Sequence, residues 1–145
     1  MQERLERLIT EQNNPRTKAF SSMNTIEMLK TINQEDHLIA DVVERELQNI
    51  AKAVELITAR MKSGGRMLYF GAGTSGRLGI IDACECNPTF GVSDTMVQGI
   101  IAGGYDAIRN ASAGDEDSFA NGKREICEHQ VCERDAVIGI TASGR

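Results

Sequence analysis

The sequence has no tryptophan, and its 145 residues hold only two tyrosines and four phenylalanines. Single-stranded nucleic acids are commonly held by stacking on aromatic rings, and that platform is scarce here. A basic surface is missing as well: 16 Lys and Arg stand against 21 Asp and Glu, a net charge of −5. Phosphate backbones call for the opposite balance. A general nucleic-acid partner is therefore not expected, while a local anion site stays open. No apolar run reaches the roughly 18 to 20 residues a membrane span needs. Met1-Gln2-Glu3-Arg4-Leu5-Glu6 mixes both charges with no apolar segment behind it, which argues against export. Four cysteines are present, Cys84, Cys86, Cys127 and Cys132. Without an export signal they are expected to be reduced thiols. Cys127 and Cys132 flank His129, but their spacing fits no common zinc pattern, so no metal is expected.

What is there begins with a 41% hydrophobic fraction, enough for the core of one domain. Residues 1 to 21 are polar and broken by Asn13-Asn14-Pro15. They read as an arm that needs something to lie against. Asn24 and Glu27 have capping-box spacing, which predicts a short helix from about Thr25. A second helix is expected from about 36 to 61. Ile39, Val42, Val43, Leu47, Ile50, Val54, Ile57 and Met61 recur there at three- and four-residue steps, one apolar stripe. Ser63-Gly64-Gly65 should stop it. The arm with its short helix, residues 1–35, is thus set apart from residues 36–145.

The pattern then changes. Met67-Leu68-Tyr69-Phe70 is too short for a helix and reads as a strand buried on both faces. A glycine-rich loop follows, then an apolar helix from Leu78 to about Cys86, ended by Asn87-Pro88 because the residue before proline avoids helical angles. Further strands are expected at 96–102 and 136–140. Between them come helices at 105–112 and from Asp115 to about Glu128. Strands alternating with helices predict a parallel sheet with crossover connections. The alternation stops after the third strand. The expectation is that this chain is the front of something longer, or takes its missing layer from another chain, and that alone it is marginally stable and inactive.

Two loops echo each other, Thr74-Ser75-Gly76-Arg77 after the first strand and Ala142-Ser143-Gly144-Arg145 after the third. In a parallel sheet both fall on one rim, where open α/β folds bind ligands. Glycines let backbone N–H groups approach an anion, hydroxyls add donors, and a helix N-terminus adds its positive end. Arg77 is unfavourable against that dipole and calls for a nearby anion or carboxylate. Gly71-x-Gly73-x-x-Gly76 also matches the dinucleotide fingerprint. The acidic residue that fingerprint needs at the end of the second strand is missing, where Ala102-Gly103-Gly104 stands. A compact monoester phosphate suits the hydroxyls better than a dinucleotide. Asp82 and Glu85 share a helix face among apolar and thiol neighbours. Burial there would raise a carboxyl pKa and suit a general acid. Glu116, in Gly114-Asp115-Glu116-Asp117-Ser118, reads from its position alone as a helix cap.

The segment from Tyr69 through Glu85 to Asn87-Pro88-Thr89-Phe90-Gly91 resembles the N-acetylmuramic acid 6-phosphate etherase family. So do Ile101-Ala102-Gly103-Gly104, Gly114-Asp115-Glu116-Asp117-Ser118, Thr141-Ala142-Ser143-Gly144-Arg145 and the N-terminal Leu8-Ile9-Thr10-Glu11 and 28–36. The vertebrate glucokinase regulatory protein shares the fold and much of the glycine loop. The resemblance implies a sugar isomerase domain: α/β, a flavodoxin-like sandwich of a parallel sheet and flanking helices, here its N-terminal part. It implies a cofactor-free lyase that removes D-lactate from N-acetylmuramic acid 6-phosphate, in amino-sugar recycling in the bacterial cytoplasm, with the active site formed between the subunits of a homodimer. On it, Glu85 is the acid that protonates the departing lactate. Glu116 takes the C2 proton, against its bland positional reading. Gly73, Thr74, Ser75, Gly76, Arg77, Ser143 and Gly144 hold the sugar phosphate. Two other readings are a phosphosugar-sensing regulatory module without catalysis and an aldose–ketose isomerase. The pair Glu85 and Glu116 separates the lyase from the sensor.

Overall fold

The computed structural model describes residues 12–110, 118–142 and 144. The chain divides between Ala53 and Val54 into two compact units.

In the first unit, single 3-10 turns at Pro15–Thr17 and Phe20–Ser22 lead to helix α1, Thr25–Arg45. The capping box forms as its spacing predicts: the Glu27 N–H donates to Asn24 Oδ1 at 3.1 Å and the Asn24 N–H to Glu27 Oε2 at 2.8 Å. The described part of the arm, from residue 12 on, lies against α1. Asn14 Nδ2 and Arg16 Nη2 both donate to Glu35 Oε2, at 2.7 and 2.9 Å. These bonds hold the Glu35 carboxyl below the usual carboxylate range. Residue 35, where a boundary was expected, is therefore inside a helix. The expected pair of helices, one short and one starting near 36, is corrected. Nothing from 25 to 45 breaks the backbone ladder, since the stretch holds neither glycine nor proline. The break falls at Glu46, whose N–H turns back to Val43 O at 3.0 Å. Helix α2, Leu47–Lys62, restarts there, runs across the division at Ala53 and is followed by Gly64, whose φ is +84°.

The second unit holds the sheet. Strand β1 is Met67–Gly71, helix α3 Gly73–Phe90, β2 Val97–Ile101, α4 Gly104–Arg109, α5 Phe119–Glu128 and β3 Ala136–Ile140. The order is β2-β1-β3 and both pairings are parallel, with Gly71 opposite Ile101 on one side and Ile140 on the other. All three strands therefore finish level. Leu68 in central β1 is fully buried, and Val97, Ile100, Ile101 and Ala107 complete the described core. The other β1 residues are only partly buried, so the expected burial on both faces holds for Leu68 alone.

Helix α3 differs from expectation at both ends. It starts at Gly73, not Leu78, so the whole Thr74-Ser75-Gly76-Arg77 motif is its first turns. It also runs through Pro88 to Phe90 and stops at Gly91, φ +65°. A proline late in a helix loses one bond to the previous turn, and here the left-handed glycine sets the end. The expectation that this helix is buried all round is overturned: only Gly76 and Gly79 are buried. Those glycines let the helix lie close on the sheet. A Cβ on Gly76 would stand 2.6 Å from Gly71 O, and one on Gly99 2.6 Å from Ile80 Cα. Helix α4 is shorter than the 105–112 expected. The expected start of α5 at Asp115 lies outside the described residues; within them, Ser118 Oγ accepts the Asn121 N–H at 3.2 Å as the cap of Phe119–Glu128.

Candidate functional site

The level strand ends make a rim, and a cleft of about 550 Å³ opens along it. One wall is the β1–α3 turn, with Gly73, Thr74 and Ser75; the segment after β3 adds Thr141 and Ala142; α5 supplies the facing wall. Thr74 and Ser75 of the first echoed loop and Ala142, which opens the second, thus line one cleft, on the rim where the parallel pattern puts them.

The β1–α3 turn is built for close approach. Gly73 takes φ +52°, and Gly76 N–H closes the first turn on Ala72 O at 3.2 Å. The N-cap is Ala72, which has no side chain able to satisfy the first amide groups of α3. Those orphan donors and the positive end of the helix open on the cleft beside the Thr74 and Ser75 side chains. Gly76 supports this turn from beneath, packed between the end of β1 and Ile101.

Arg77 has a different partner from the anion expected of it. Its Nη2 donates to Ala107 O at 2.7 Å and Asn110 O at 3.1 Å, and its Nε to Ile108 O at 2.9 Å. The guanidinium so collects the carbonyl dipoles at the end of α4, and Arg77 does not line the cleft. Glu85 also stands outside it. Ten residues beyond Ser75 in one helix is about 15 Å along the axis, and Glu85 is exposed there. The burial expected to make it an acid is absent within this chain. Its helical neighbour Asp82 accepts a bond from Tyr69 Oη at 2.7 Å. Burial, then that carboxylate, raises the Tyr69 phenol. Burial, then Asp82, likewise raises the Cys86 thiol. Glu116 and Ser143 lie outside the described residues. Gly144 is exposed with φ +75°.

Sequence reasoning missed the α5 wall. Ser118, Asn121, Gly122 and Glu125 follow the i, i+3, i+4, i+7 steps of one helix face, and all line the cleft. That row was readable as a polar stripe. What holds α5 in place was not. Arg66 donates from its main-chain N–H, at 2.8 Å, and its Nε, at 3.2 Å, to Asp135 Oδ1, and from Nη2 to Oδ2 at 2.7 Å. The same Nη2 reaches His129 O and Gln130 O, each at 3.1 Å, just past the end of α5. Arg66 therefore joins the starts of β1 and β3 to the end of α5. With Arg66 and the Cys132 N–H on it, the buried Asp135 carboxyl is held well below the usual carboxylate range.

A parallel α/β sheet with a glycine and hydroxyl turn opening a helix at its rim is the build of an open α/β ligand-binding domain. Residues 49–145 match the family described as the glucokinase regulatory protein N-terminal SIS domain, and the chain belongs to that family. Nearly the whole chain is also similar to curated proteins named N-acetylmuramic acid 6-phosphate etherase. The one from Caldanaerobacter subterraneus subsp. tengcongensis is 52% identical over 97% of this chain and 46% of its own length. The one from Clostridium acetobutylicum is 50% identical over 100% of this chain and 48% of its own. That from Clostridium beijerinckii is 49% identical over 97% and 46%. The resemblance read from the loops is borne out, and the chain spans about half the length of these relatives. No helix among the described residues is long and apolar enough to cross a membrane, and no cluster of metal-ligating side chains is found among them.

Proposed function

We propose that this chain carries the phosphosugar-binding part of an N-acetylmuramic acid 6-phosphate etherase. The observation that supports it most is the uncapped start of α3, with Thr74 and Ser75 beside it, opening into a cleft on the sheet rim. A dianionic phosphate matches those donors and that dipole. The names of the relatives supply the substrate.

The reaction in this reading is elimination followed by hydration. The C1 aldehyde of the open sugar acidifies C2–H, and Glu116 takes that proton. The C3–O bond breaks as Glu85 gives its proton to the departing lactate oxygen. Water then adds at C3, its proton going to Glu85, and C2 is reprotonated. The sum is N-acetylmuramic acid 6-phosphate plus water giving N-acetylglucosamine 6-phosphate plus D-lactate, with no cofactor. Glu85 is on an exposed face of α3, away from the cleft. It meets the substrate in this reading at a contact between two copies, the homodimer the resemblance implies. The setting is cytoplasmic amino-sugar recycling, without nucleic acid or membrane as partner.

Two measurements test it. Calorimetry should show N-acetylglucosamine 6-phosphate binding more tightly than N-acetylglucosamine, and equal affinities reject the phosphate site. Full-length protein carrying Glu85→Gln should bind the phosphosugar and release no D-lactate, and Glu116→Gln in the same protein should slow exchange of the C2 proton into deuterated water. Wild-type lactate release by Glu85→Gln removes Glu85 from the acid's role. Phosphosugar binding with no lactate release by the unsubstituted full-length protein would favour the sensing module, which needs neither carboxylate.

A further inference from the structure

The two walls of the cleft differ in chemistry. The α3 wall offers amide N–H groups, hydroxyls and a positive helix end. The α5 wall offers the carboxylate of Glu125, with a side chain 19% exposed. An ionised carboxylate only accepts hydrogen bonds. It repels a phosphate and suits neutral hydroxyl donors.

Glu125 also has a polar neighbour on its own helix. The ring of His129, one turn on, brings Nε2 within 3.6 Å of Glu125 Oε2. That ring stands edge-on to Phe70, another lining residue, at 6.3 Å and 90°. The Arg66 guanidinium fixes the carbonyls of His129 and Gln130. The residue beside Glu125 is thus held from β1 through Phe70 and from Arg66 through the main chain just past α5.

We propose that Glu125 is a specificity-determining residue: its carboxylate accepts hydrogen bonds from the hydroxyls of a sugar whose phosphate rests on the Thr74-Ser75 turn. The inference rests on the phosphosugar reading. It gives the cleft a direction, phosphate toward α3 and polyol toward α5. It also explains an acid in a cleft meant for anions, because the charge turns away phosphate presented from the wrong end and favours phosphosugars over phosphate alone.

The test compares N-acetylglucosamine 6-phosphate with inorganic phosphate by calorimetry on the full chain. Glu125→Ala should weaken the sugar phosphate about tenfold or more and leave inorganic phosphate unchanged or tighter. Glu125→Gln preserves shape and one acceptor oxygen, and should lie between Ala and wild type. A ratio of the two affinities that stays at its wild-type value in both variants overturns the inference, whether both ligands weaken together or neither does. A wild-type chain that binds neither ligand overturns the phosphosugar reading itself. Wild-type binding of both with an unchanged ratio in the variants removes only Glu125.

Discussion

Arg77 donates from Nη2 to the carbonyl of Ala107 at 2.7 Å, tying the first turns of α3 to the end of α4. This bond decides how a residue of the glycine motif is used. Charge-assisted bonds of a cation to backbone carbonyls contribute roughly 1.5 to 3 kcal/mol. Arg77→Met should therefore destabilise the chain by about 2 kcal/mol in urea unfolding. Phosphosugar affinity in the folded variant should change less than in Ser75→Ala. A large affinity loss with unchanged stability would return Arg77 to the ligand.

Ser75→Ala and Thr74→Val act on the opposite side of the same turn. Each removes a hydroxyl from a residue that lines the cleft, and a bond to a charged phosphate is worth roughly 1.5 to 3 kcal/mol. Affinity for N-acetylglucosamine 6-phosphate should fall at least tenfold while the thermal midpoint stays within a few degrees. Calorimetry alongside a melting curve reads both.

The Arg66–Asp135 pair sets an acid limit on stability. Asp135 is buried and its folded pKa is depressed by Arg66. Its contribution is then complete above the unfolded value of about 3.9 and is lost as pH falls through the lower folded value. Unfolding free energy should drop steadily below about pH 4. Asp135→Asn should cost about 3 kcal/mol at neutral pH, since it leaves a charge without its partner, and should flatten the acid limb. An unaltered acid limb in that variant would place the sensitivity elsewhere.

Close approach of α3 to the sheet should be intolerant of a methyl group. A Cβ on Gly99 would stand 2.6 Å from Ile80 Cα, backbone that cannot swing aside. Gly99→Ala should cost about 1 to 3 kcal/mol through overpacking. Gly91→Ala meets nothing within 4 Å and should cost only about 1 kcal/mol for its positive φ. Comparing the two by chemical denaturation separates packing from backbone strain.

By itself the sequence determined the parallel α/β class, the three strands, the Asn24–Glu27 cap and the placing of both glycine loops on one rim. These follow from local rules, since period, capping chemistry and strand-then-helix alternation are written in neighbouring residues. Only the tertiary structure decided what each motif residue touches. The sequence could not say that Arg77 would meet the carbonyls at the end of α4, thirty residues on, nor that Arg66 would find Asp135 and brace α5. It misjudged the burial of α3, because an apolar run says that a helix can be covered and not that this chain covers it; only Gly76 and Gly79 of the helix are buried. It also stopped the helix at Asn87-Pro88, where the chain runs on through the proline and the left-handed Gly91 ends it. Glu125 entered the cleft by the packing of α5 against the rim, a relation between distant segments that residue spacing alone does not carry.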